Sequence, residues 1–96
     1  MTDARRADLA LRVEEAVRAV LPETDRYSQT VLDAALMVLD HVLARPGDLA
    51  LNQERHVPPP GESLYDAVAA SHPELETLGM TSVMWQLAVR AVAVTI

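Results

Sequence analysis

Three histidines, a scatter of carboxylates and a few hydroxyls are the only side chains in this sequence that could do chemistry. His41, His56 and His72 lie 15 and 16 residues apart, so no two share a helical turn. A zinc site needs three or four ligands brought together, usually including a pair at helical spacing such as H-E-x-x-H, and no such pair occurs. His41 falls at the edge of the polar face of its segment, beside Asp40, and His72 precedes Pro73 in a turn. Both are expected to be solvated or capping histidines. Glu14-Glu15, Asp40 and the Glu74/Glu76 pair lie on faces that a small core needs wet, whereas paired-carboxylate catalysis needs two of them in a desolvated cleft. Ser63, in PPPGESLYD, lacks the G-x-S-x-G geometry of an activated serine, and helix capping is its expected task. Gly47, Gly61 and Gly79 stand alone, so no phosphate-cradling loop is available. No catalytic residue, metal site, cofactor or small-molecule ligand is implied, and the expectation is a protein that is not an enzyme.

Composition narrows the classes further. The chain has 96 residues, half of them hydrophobic, which suits one domain over 1–96 with a single core. Aromatic residues are limited to Tyr27, Tyr65 and Trp85, so the core must be built from Ala, Val, Leu and Met. Cysteine is absent, which removes disulfides, thiolate metal sites and cysteine nucleophiles. The net charge is −6, with all eight basic residues arginine. An acidic balance disfavours nucleic acid as a partner, because affinity there rests on basic residues releasing counterions. No apolar run reaches the roughly 18 to 20 residues that span a bilayer. Charges interrupt MTDARRADLALRVEE, unlike the apolar stretch of a signal peptide. A cytoplasmic protein without a membrane segment is expected.

The elements that must position these residues read as helices. Leu9, Ala10, Val13, Ala16, Val17 and Val20 recur at spacings of three and four, which predicts an amphipathic helix from Asp3 to Leu21. Asp8–Arg12 and Glu14–Arg18 are placed as i,i+4 pairs, Thr2 or Asp3 can cap the start, and Pro22 stops the helix. A second helix is expected from about Asp25 as N-cap to Ala44, ended by Pro46-Gly47. Its apolar half-circumference, from Tyr27 through Val31, Leu32, Ala35, Leu36, Val38, Leu39 and Val42 to Leu43, predicts two neighbours. Met37 and Leu11 are expected as exposed apolar residues on outer faces. Residues 48–57 fit either a short helix or an extended segment. Ser63 and Asp66 form a capping-box-like start to a third helix ending near Ser71. Pro73 opens one more helical turn, which Gly79 can end in a left-handed conformation.

ERHVPPPGE joins the halves as a long proline-rich connection. Residues 63–96 are too few to fold alone, since an unstapled chain needs roughly 40 residues, so the prolines do not divide two domains. There is no P-x-x-P motif. A stiff strap across one end of the bundle is expected instead.

The last helix, from Thr81 or Ser82 to about Val94, carries the functional expectation. Only Ser82, Gln86 and Arg90 are polar, in one narrow stripe at i, i+4 and i+8. Everything else is apolar, an arc too wide for one neighbour. Trp85, Val89 and Val92 form one apolar face, and Met84, Leu87, Ala91 and Val94 form a second beside it. Either both are core, making this the most buried helix, or the second face, Met84, Leu87, Ala91 and Val94, binds a copy of itself or another protein. The fold expected is all-α, a small bundle of three main helices plus one or two short ones. The function expected is a small acidic, non-catalytic adaptor or structural subunit, acting in an oligomer or larger assembly. The alternative is a small regulator, either a helix-turn-helix DNA binder or an antitoxin-like inhibitor. For DNA, the last helix offers only one Gln and one Ser in its first two turns.

Overall fold

Capping residues and prolines set where the helices begin and end. The structure, a computed structural model, describes residues 2–51 and 63–96. Among these the chain forms four α-helices and no strand: α1 (Asp3–Val20), α2 (Ser28–Ala44), α3 (Leu64–Ser71) and α4 (Ser82–Ala93). Two short 3₁₀ helices, Pro46–Leu51 and Pro73–Thr77, lie between them. The all-helical expectation is met. Three helices are long, but the short elements number three in the described residues rather than one or two. The proline-rich strap, with most of ERHVPPPGE, lies outside the described residues.

Thr2 caps α1 by accepting the Arg5 N–H at 3.2 Å, Ser63 caps α3 through the Asp66 N–H at 3.1 Å, and Thr81 caps α4 through the Met84 N–H at 3.2 Å. The Ser63 hydroxyl in turn donates to Asp66 at 2.7 Å. Each such oxygen satisfies one of the four N–H groups that a helix start leaves open. Leu21, pushed into extended backbone by Pro22, closes α1 with its N–H on Val17. Gly79, at φ +66, follows the second 3₁₀ helix in the left-handed region expected of it.

The start of α2 differs from expectation, while its end at Ala44 does not. The Asp25 carboxylate accepts the Tyr27 N–H at 2.8 Å, and the Asp25 carbonyl accepts the Ser28 N–H at 3.1 Å. Asp25 therefore closes a local turn, and α2 starts three residues later. Tyr27 is left outside the core, 43% exposed, with Arg26 over its ring. At the other end of α2, Pro46 forces Arg45 out of helical geometry and then opens a 3₁₀ helix. Gly47 has open space where a Cβ would sit and no positive φ, so proline alone makes the stop. Residues 48–51 thus resolve as helical, while 52–57 lie outside the described residues.

α2 is the centre of the bundle. It packs against α4, α1, α3 and the first 3₁₀ helix, and buries Val31, Leu32, Ala34, Ala35, Val38, Leu39 and Val42. α4 packs mainly against α2 and α1 and meets α3 through Trp85; it buries six of its 12 residues against nine of 17 in α2, so the expectation that it is the most buried helix is not met. Val13 and Val17 of α1, Leu64 and Val68 of α3, and Leu75 complete one continuous hydrophobic cluster. Each fully buried Val or Leu contributes about 1.5–3 kcal/mol, which lets a nearly aromatic-free core hold. Tyr65 meets Trp85 edge to face, centroids 5.1 Å apart, pinning α3 to α4. Met37, expected outside, is half-buried against the core, while Leu11 is exposed as expected. Among the described residues no helix is long and apolar enough to cross a membrane.

Candidate interaction surface

Among the described residues, α4 has more apolar circumference than its neighbours cover. Trp85, Ala88, Val89 and Val92 are buried among α2 and the rest of the core. Of the four residues expected to form a contact face, Met84 and Ala91 are buried at 8% and 4% exposure and so belong to the core. Leu87 is half-buried, and Val94 is 68% exposed. Val83, one turn before Leu87 and not among those four, is 70% exposed. Leu87 and Val94 are thus the part of the quartet that reaches the surface, joined by Val83.

This stripe continues onto α1. Ala16, Ala19 and Val20 form one wall of a hollow of about 230 Å³, and Leu87, Arg90, Ala91 and Val94 form the other. Val20 is outward-facing, and the alanines give that wall little relief, so the space is a shallow apolar groove between two helices. A second, broader depression runs along α4 itself from Ser82 through Gln86 to Ala93 and shares Leu87 and Arg90 with the first. Among the described residues, Arg90 is the one charged side chain lining either hollow. Val83 and Ala93 had no sequence signal separating them from core positions, because a helical wheel shows apolar width but not where neighbours sit.

The histidines occupy a different part of the molecule. His41 is buried, not solvated as expected, with 7% exposure. Its Nε2 donates to the Asp48 carboxylate at 2.7 Å, and its Nδ1 stands 3.3 Å from the Ser71 hydroxyl. One imidazole therefore joins α2, the first 3₁₀ helix and α3. Asp48 also meets Arg45 at 3.4 Å, and Ser71 lies 3.1 Å from Nδ1 of His72. Asp40 extends the line, accepting from Nε of Arg6 on α1 at 2.6 Å and lying 4.0 Å from Nε2 of His72. The sequence missed this because the partners of His41 are seven and 30 residues away.

Ser71, His41 and Asp48 are the residue types of a hydrolytic triad, but the surroundings oppose that chemistry. Ser71 sits at the carboxyl end of α3, where carbonyls point outward and disfavour a developing oxyanion. Its hydroxyl has the Val68 carbonyl as an acceptor at 3.2 Å, and the His72 N–H is spent on the same carbonyl at 2.8 Å. What the geometry does supply is a polar clasp between elements. Among the described residues no group of three or more metal-ligating side chains is assembled.

Comparison with protein-family models, with curated proteins and with solved structures gives no match. The functional assignment therefore rests on the surface and the clasp themselves.

Proposed function

We propose that the chain is a small, acidic, non-catalytic interaction or assembly subunit that engages another protein through the outer face of α4 and the adjoining edge of α1. One observation carries this: exposed Val83 and Val94, with half-buried Leu87 between them, form an apolar stripe on a helix whose inner face packs into the core. Scattered apolar residues are ordinary on a protein surface, but three on one helix face beside an apolar groove make a contiguous patch of the kind that marks interaction sites. The clasp around His41 fits this reading as a brace that keeps α2, α3 and the first 3₁₀ helix in fixed relation. Residues 1–96 act as one unit in this proposal, in the cytoplasm, and cell fractionation tests the compartment.

Sedimentation velocity at rising concentration, with and without Leu87→Asp, tests the surface. Self-assembly gives a species above 10.5 kDa that Leu87→Asp dissolves without loss of helicity. A strictly monomeric chain confines the proposal to a heterologous partner. The DNA-binding form of the regulator alternative predicts a retarded duplex in a low-salt gel shift; the outward polar residues of α4 are only Ser82, Gln86 and Arg90, which gives it little to read bases with.

A further inference from the structure

Arg90 says what should cover the groove. It is exposed, lies where the polar line of Ser82 and Gln86 meets the apolar stripe, and lines both hollows. Arg6, Arg12, Arg18 and Arg45 each hold a carboxylate within 4 Å; Arg5, Arg26 and Arg90 have none among the described residues, and of these three only Arg90 lines either hollow. In a chain with 14 acidic and eight basic residues, a cation left without a carboxylate at the edge of an apolar face is a complementary site awaiting a charge.

We propose that the groove between α1 and α4 receives an amphipathic helix from a different protein, apolar along one face and bearing an Asp or Glu that pairs with Arg90. This rests on the assignment of that face as an interaction surface. The small side chains of Ala16 and Ala19 let a helix backbone approach α1 closely, while Val20, Leu87 and Val94 supply the larger apolar side chains of the lining. An apolar face at i, i+3 or i+4 and i+7 would lie against them in the helix-in-groove manner. A second copy of this chain fits worse. A two-fold axis through Leu87 and Ala91 would set Arg90 against its own counterpart, and both chains carry a net charge of −6. A foreign helix supplying one carboxylate meets neither penalty.

The test is a displayed library of peptides of about 16 residues, roughly four helical turns, with one apolar face and the other positions randomised, panned against the whole chain. Enriched peptides should carry Asp or Glu beside the central apolar turn. Leu87→Asp should abolish their binding, and Arg90→Glu should weaken it on the order of tenfold. Changing the peptide's carboxylate to Lys should restore binding to Arg90→Glu alone. Peptides that need Leu87 but ignore Arg90→Glu overturn the carboxylate anchor and leave the surface standing. No enrichment, or binding indifferent to both substitutions, overturns the surface as well. A dimer of the chain alone, dissolved by Leu87→Asp, overturns the foreign occupant.

Discussion

Replacing His41 with alanine should destabilise the fold by about 3 kcal/mol, and the clasp geometry says why. The bond from Nε2 to Asp48 is 2.7 Å long and ends on a carboxylate, a class worth about 1.5–3 kcal/mol. The lower end applies, because Asp48 is 20% exposed and keeps Arg45 at 3.4 Å. The Ser71 contact, at 3.3 Å, adds about 0.5 kcal/mol. Removing an imidazole that is only 7% exposed leaves a partial cavity worth about 1 kcal/mol more. Urea denaturation followed by helical circular dichroism should show a lower midpoint with an unchanged slope. In a domain this size the melting temperature should fall by about 10–20 °C. Asp48→Ala alone should cost about 2 kcal/mol, and the double variant should reveal a coupling of about 1 kcal/mol. A His41→Ala cost under about 0.5 kcal/mol, or a coupling near zero, would refute the clasp.

Other substitutions separate the remaining elements. Gly79→Ala should cost about 1–2 kcal/mol because its φ of +66 is left-handed, while Gly47→Ala, with open space around it, should be neutral or slightly stabilising; thermal melts of the pair decide this. Thr81→Ala should lose about 1 kcal/mol through the unsatisfied start of α4, read as a lower urea midpoint. Leu39→Ala, at the fully buried centre of α2, should cost about 3–4 kcal/mol in the same assay. Leu87→Asp should stay folded, within about 1 kcal/mol of the parent, whereas Ala91→Asp should cost about 3 kcal/mol or more by burying a carboxylate; hydrogen exchange of α4 tells them apart.

Much of the scaffold was legible because its signals are local. Thr2, Ser63 and Thr81 cap helices through N–H groups three residues on, and Pro22 acts on the residue before it. Where a residue had a local competitor the boundary moved: Asp25 spent its carboxylate on its own turn, so α2 began at Ser28. The candidate surface was half legible. The width of the apolar arc on α4 was visible, but which part faces outward depends on where α1 lands, and that turned Met84 and Ala91 inward while leaving Val83 and Val94 outside. The clasp was illegible, because His41 and Ser71 are brought together only by the packing of α3 on α2.

The most direct test of the interaction surface is site-specific photo-crosslinking in the native host. A photoreactive residue at Val94, 68% exposed beside the groove, should give a discrete adduct that Leu87→Asp removes, while the same residue at exposed Gln29 on α2 should give none. Equal labelling from both positions, or an adduct at Val94 that survives Leu87→Asp, would contradict the account.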